Sequence, residues 1–195
     1  MNLAVIGSGG REHALCYKLG QSKEVKKIFC IPGNAGTKKL AENISEDLSN
    51  FEGIYKIIKE KKIDCVIVGP EEPLVNGIVD FLTKKNIKVF GPDKFSSQLE
   101  GSKAFMKNLC KKNNIPTANF GIFENFEEAI NFIKSNKLPI VVKADGLAAG
   151  KGVSICQTKE EAEKKVKEII EGKFKSSNKV VLEQYIDGEE LSYFS

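Results

Sequence analysis

The stretch Asn2-Leu3-Ala4-Val5-Ile6-Gly7-Ser8-Gly9-Gly10-Arg11-Glu12-His13-Ala14-Leu15 decides how the first half of this chain folds. Residues 2–7 form an apolar run closed by glycine. Residues 11–20 carry Ala14, Leu15 and Leu19 at helical spacing, so a strand is expected to turn directly into a helix. The alternation continues outward, with strands expected at 27–31, 63–68 and 87–91. Helices are expected near 49–61 (Ile54, Ile57, Ile58) and 74–85 (Val75, Ile78, Val79, Leu82). Near-continuous apolar strands separated by amphipathic helices mean a parallel sheet covered on both faces. The reading is α/β, with a Rossmann-like parallel-sheet domain over residues 1–100.

After Gly91-Pro92 the pattern changes. A helix near 101–113, within a connecting segment 101–118, leads to a strand near 118–123. Asn125 and Glu128 then mark a helix start ahead of Ala129, Ile130 and Ile133. Strands are expected at 139–144, 153–157 and 179–185. A helix to about 171 is expected to begin with a capping box of Thr158 and Glu161 and to carry Glu160/Lys164 and Glu163/Lys167 pairs. Residues 119–190 thus read as a small α+β subdomain. Residues 191–195 have the apolar alternation of a further strand with no polar tail, so the chain is expected to stop inside a longer protein.

Composition narrows the function. The chain has 195 residues, 41% of them hydrophobic, which excludes a disordered or collagen-like polymer. No apolar run approaches the ~18 residues of a membrane helix. The N-terminus lacks the basic start of a signal peptide, so a soluble, cytoplasmic protein is expected. Cys16, Cys30, Cys65, Cys110 and Cys156 are scattered with no CxxC pair, which argues for reduced thiols rather than a disulfide framework or zinc site. The net charge of +4 comes from lysine pairs spread along the chain, a solvated surface rather than a basic stripe for nucleic acid. All but one of the 30 basic residues are lysine. The exception, Arg11, follows the glycine cluster, and lysine cannot reproduce its bidentate grip on phosphate or carboxylate.

Four segments could carry chemistry. Gly7–His13 lies at a strand-to-helix turn, where helix amides and the dipole favour an anion. It fits the dinucleotide fingerprint poorly, because Glu12 stands where a third glycine belongs and the second strand ends without an acid. A phosphate-bearing small molecule held by the turn and Arg11 fits better. Gly69-Pro70-Glu71-Glu72-Pro73-Leu74 offers carboxylates for an amine or ribose hydroxyls, or simply acids near a helix start. Lys143–Val153 (KADGLAAGKGV) resembles a phosphate loop, yet is one residue short between its glycines, and Gly152 stands where a magnesium-binding hydroxyl belongs. It suits a glycine-rich hairpin closing over a triphosphate. Val180–Glu190 ends a strand in an acidic turn, where main chain could pair with adenine and a carboxylate with ribose.

GSGGREHAL, GPEEPL, Gln98–Lys103, VVKADGLAAGKGV and VVLEQYIDGEELS occur here in the order found in the glycinamide ribonucleotide synthetase family of ATP-grasp ligases, which the chain resembles over all 195 residues. The resemblance implies ligation of glycine to 5-phosphoribosylamine through a glycyl phosphate, with ATP and Mg2+ (or Mn2+), in purine biosynthesis. It implies that Lys103 and Lys143 contact the phosphates, with Gly146, Gly150, Lys151 and Gly152 closing over them. Main chain around Glu183, Tyr185 and Ile186 would hold adenine, and Glu190 the ribose. Gly9, Gly10, Arg11 and Glu71 would line the phosphoribosylamine side. Gln184 departs from the acid expected there. The resemblance places the magnesium carboxylates and catalytic residues beyond residue 195, so the chain alone is expected to be inactive. The alternatives are another ATP-grasp ligase or carboxylase fragment, and a dinucleotide-dependent oxidoreductase domain.

Overall fold

A computed structural model describes residues 1–148, 152–172 and 178–193, which fall into two units, Met1–Gln98 and Leu99–Ser195. In the first, β1 (Asn2–Gly7) buries both faces because nearly every residue in it is apolar: Ala4 and Ile6 serve one core, Val5 another. β1 runs parallel to β2 (Lys27–Pro32) and β4 (Cys65–Val68) on its two sides, and β3 (Glu42–Asn43) and β5 (Lys88–Phe90) extend the sheet. The order is β3-β2-β1-β4-β5. α1 (Gly10–Leu19) covers Val5 and Cys30 with Cys16, Leu15 and Leu19. α2 (Phe51–Glu60), α3 (Glu71–Asn76) and α4 (Ile78–Lys84) cover the opposite face through Ile54, Ile58, Leu74, Ile78 and Leu82.

Three local expectations change. The helix expected over 74–85 is two helices, because Gly77 takes φ +93°, a left-handed conformation that ends α3 and restarts the chain as α4. In α1, Ala14 is exposed and Glu12 joins Cys16 on the buried side. The 3-10 turn Thr37–Lys39 and the two-residue β3 have no periodicity to announce them.

The second unit begins with the short α5 (Gln98–Gly101) and α6 (Lys103–Lys112), whose cap Ser102 accepts from Phe105 N at 3.0 Å. Then follow β6 (Phe120–Phe123), α7 (Phe126–Ser135), β7 (Ile140–Ala144), β8 (Val153–Cys156), α8 (Lys159–Ile170) and β9 (Val180–Gln184). The strands form an antiparallel sheet ordered β6-β9-β7-β8. One face, with Ile140, Val142, Val180 and Leu182, packs on Ile130 and Ile133 of α7 and Val166 and Ile169 of α8. Asn125 caps α7 by accepting from Glu128 N at 3.1 Å. At α8, Thr158 accepts from Glu161 N at 3.2 Å, but Glu161 reaches back to Gln157 N rather than to Thr158 N. The helix pairs Lys165 with Glu168 and Lys167 with Glu171, instead of the Glu160/Lys164 and Glu163/Lys167 pairs expected. Leu191–Tyr193 lie outside any strand, contrary to expectation, and residues 194–195 fall outside the described residues.

Candidate functional site

The order β3-β2-β1-β4-β5 reverses direction at β1, so connections leave β1 and β4 on opposite faces and open a crevice at their carboxyl ends. The turn after β1 and the turn after β4 meet there. The Arg11 guanidinium donates to the Gly69 carbonyl and, at 2.8 Å, to Glu71 Oε1. Arg11 and Glu71 are thus brought together, and with Ser8, Gly9, Gly10, Leu48 and Pro70 they line a cavity of about 310 Å³. The hydrogen bond from Arg11 holds the Glu71 carboxyl below its ordinary value, helped by the backbone amide of Glu71. Glu71 both starts a helix and anchors the arginine.

Glu12 explains the poor dinucleotide fit. Its carboxylate is buried and accepts the Gly9 N–H at 2.6 Å, so this sequence-chosen donor is already engaged. A Cβ on Gly69 would overlap Glu12 Oε1, and one on Gly7, at φ +126°, would lie 2.6 Å from Glu12 Cδ. Both glycines make room for the acid. A carboxylate under the turn disfavours a pyrophosphate. Gly10, first in α1, keeps a helix-start amide with no partner further back in the helix. Asn34, which sequence reasoning passed over, braces the turn by donating to Ser8 O at 2.8 Å and Gly9 O at 3.1 Å. Its place just after a strand-ending Pro-Gly was the available signal.

The second cluster lies on the face of the antiparallel sheet turned away from α7 and α8. Phe120, Glu183, Val141 and Ile155 form one row across the four strands, and Ile122, Val181, Lys143 and Val153 the next. Val153 and Ile155 are about half exposed, 47% and 53%, an apolar floor suited to a flat base. Glu183 is buried between two cations: its Oε2 lies 2.9 Å from Lys107 Nζ and its Oε1 2.9 Å from Lys143 Nζ. Oε1 nonetheless accepts no hydrogen bond, so the Lys143 contact is a charge pairing without hydrogen-bond geometry. The half-exposed apolar floor beside this charge cluster fits a flat, purine-sized group.

Lys103 donates to the Gly146 carbonyl at 2.9 Å. Burial pulls its ammonium below the ordinary lysine value and nearby Lys143 pulls the same way, against Asp145. Cations held this way gain from a phosphate's charge. Gly152 is buried at the start of the returning strand, while Gly150 and Lys151 lie outside the described residues. β9 sits between β6 and β7, not at a sheet edge, so Glu183 contributes its side chain and free main chain begins only after Gln184. Ile186 and Glu190 are exposed and Tyr185 half-buried. Val141, Val153, Ile155 and Lys107 were missed. The period-two pattern of β7 and β8 signalled the first three, and nothing local signalled Lys107.

Among the described residues no three His, Cys, Asp or Glu side chains gather as a metal site. Glu183 is committed to two lysines, and Asp145 to Ser102 and the Ala104 N–H. Neither of these two carboxylates fits a divalent cation. No helix among the described residues is long and apolar enough to cross a membrane.

Comparison with known proteins gives a consistent result. The phosphoribosylamine–glycine ligase of Clostridium acetobutylicum is 47% identical over the whole of this chain, which covers 47% of that protein. The same ligase of Mesorhizobium japonicum is 46% identical, again over the whole chain and 46% of the relative. The chain therefore spans about half the length of the curated relatives it matches. The crystal structure of phosphoribosylamine–glycine ligase from Thermotoga maritima superposes with a TM-score of 0.80 at 35% identity, over 97% of this chain and 45% of that one. A 2-oxoglutarate carboxylase biotin carboxylase domain from Hydrogenobacter thermophilus, in complex with MgADP, shares the fold at TM-score 0.78 and 22% identity, over 95% of this chain and 44% of that one. Family models for the phosphoribosylglycinamide synthetase N domain and ATP-grasp (A) domain match residues 1–100 and 101–195, and the chain belongs to that family.

Proposed function

We propose that this chain supplies the phosphoribosylamine and nucleotide surfaces of an ATP-dependent ligase joining glycine to 5-phosphoribosylamine. In that reaction the γ-phosphoryl group of ATP passes to the glycine carboxylate, leaving ADP. The amine of phosphoribosylamine then attacks the acyl carbon, loses a proton and expels phosphate, forming the amide. Negative charge concentrates on the transferring phosphoryl oxygens, so fixed cations do the stabilising rather than a nucleophilic side chain. On this reading Lys103 and Lys143 bind phosphate oxygens, with Gly146, Gly150, Lys151 and Gly152 folding over them. Glu183, the main chain of Tyr185 and Ile186, and Glu190 take the nucleoside, over the floor of Val141, Val153 and Ile155.

Gly10 and Arg11, with Gly9 and Glu71 shaping the turn, take the phosphoribosyl group. We assign residues 101–118 to the connection and 119–190 to the small ATP-grasp subdomain, with 191–195 leading into the larger one. Magnesium is assigned no step on these residues. Because the chain spans about half of its relatives, these 195 residues by themselves are expected to bind nucleotide weakly at best and not to turn over.

The observation that carries this reading is the half-exposed apolar floor of Val153 and Ile155 beside the partly exposed Lys143. The buried Glu12 beneath the first turn speaks against the dinucleotide alternative. Calorimetric titration of the chain with Mg-ATP and with NADH tests it. Heat with Mg-ATP that Lys143→Ala removes, and none with NADH, is the expected result. NADH binding without ATP binding overturns the reading.

A further inference from the structure

Lys107 is a buried lysine that the proposed reaction leaves without a task. Its side chain is 5% exposed, its Nζ lies 2.9 Å from Glu183 Oε2, and it donates to Thr117 Oγ1 at 2.7 Å. The ammonium also stands 5.7 Å from the centre of the Phe120 ring. A lysine is seldom buried so fully without a use for its charge. On the other side of the same carboxylate, Lys143 is 24% exposed and reaches Oε1 without making a hydrogen bond. Glu183 thus has one inward cation held by two further contacts, and one outward cation held by charge alone.

We propose that Lys107 is a positioning residue that neutralises Glu183 permanently, so that Lys143 can leave the carboxylate for the phosphates of an incoming nucleotide. The idea rests on the nucleotide surface assigned above. Without Lys107, a Lys143 moving to phosphate would strand a buried, unpaired carboxylate, which is strongly unfavourable. Glu183 would then keep Lys143. With Lys107 in place, the carboxylate stays paired whichever way Lys143 turns. The sheet register supports the division of labour. Glu183 and Lys143 are diagonal neighbours on β9 and β7, whereas Lys107 arrives from α6 on the Phe120 side.

A double-mutant cycle tests this, using the 195-residue chain with Lys107→Met, Glu183→Gln and the pair together, each checked for folding by thermal melting. Two quantities are read: affinity for Mg-ATP by calorimetry, and the rate at which acetic anhydride labels Lys143, followed by mass spectrometry without nucleotide. Lys107→Met should weaken Mg-ATP binding about tenfold or more, since it removes one partner of a buried pair. It should also slow Lys143 labelling several-fold. In the Glu183→Gln background the same substitution should change neither by more than about twofold, because the charge that detains Lys143 is gone.

Equal effects of Lys107→Met in both backgrounds would overturn the proposal, as would unchanged labelling of Lys143. Should Lys107→Met alone fail to fold, Lys107→Arg against wild type, and the double variant against Glu183→Gln, carry the comparison. Arginine keeps the charge and should preserve both readouts, and its failure to do so would also count against the proposal. Labelling that follows the cycle in a chain that binds no nucleotide would instead separate the lysine's role, upheld, from the nucleotide reading, refuted.

Discussion

Asp145 Oδ1 accepts the backbone N–H of Ala104 at 3.1 Å, and the same carboxylate receives the Ser102 hydroxyl at 3.1 and 3.2 Å. This ties the first turn of α6 to the residue that follows β7. The negative group sits where the helix amides are unpaired and the dipole end is positive. Lys103, between the two anchored residues, reaches Gly146 O from that fixed start.

Asp145→Ala should therefore cost about 1–3 kcal/mol, the penalty for leaving a buried donor unsatisfied. Melting should fall by roughly 2–4 °C per kcal/mol in a chain of this size. Mg-ATP affinity should fall with it, because Lys103 loses its anchor. A variant that melts and binds like the wild type would show that α6 is held by something else.

Replacing Arg11 by lysine separates stability from recognition. The Arg11–Glu71 pair is largely exposed, with side chains at 57% and 41%, so the fold should lose no more than about 1 kcal/mol. Binding of a phosphorylated sugar such as ribose 5-phosphate should weaken about tenfold, since lysine lacks the planar two-pronged grip. Thermal melting of the two proteins measures the first and chemical-shift titration with ribose 5-phosphate the second; equal affinities would remove Arg11 from the phosphate site.

Glu71 predicts a pH dependence with a definite sign. Its folded-state value is depressed, first by the Arg11 hydrogen bond, so the pairing is complete above the ordinary glutamate value of 4.5. It is lost as pH falls through the folded-state value, which lies lower. In a carboxyl-carbon titration by NMR, Arg11→Ala should move the Glu71 midpoint upward toward that ordinary value. No movement would mean that the helix-start amide, not the arginine, sets it.

Ile155 is half exposed on the apolar floor, so Ile155→Glu should leave stability within about 0.5 kcal/mol. Mg-ATP binding should nevertheless weaken severalfold, from lost apolar contact with the base. Inorganic triphosphate, which carries no base, serves as the control. If both ligands weaken equally, the floor does not receive the base.

Much of this was legible in the chain itself. Runs such as Leu3–Ile6 and Cys65–Val68 alternate with helical stripes, and burial on both faces of a parallel sheet requires that composition. Ser102, Asn125 and Thr158 stand three residues ahead of the amides they accept, so the caps are local too. The break at Gly77 was harder to read, because glycine is compatible with a continuing helix and only its left-handed φ shows the interruption.

By itself, the amino-acid sequence determined the alternation of strands and helices and placed a lone arginine after a glycine turn and two lysines around another. Those properties depend on residues a few positions apart, where period and propensity act. Only the tertiary structure decided that Arg11 meets Glu71, that Glu12 lies buried beneath its own turn, and that Lys107 and Lys143 share Glu183. Partners 60 and 76 residues apart are joined by strand order and register, and the strength of a charge pair is set by how far the surrounding fold excludes water, which no local pattern records.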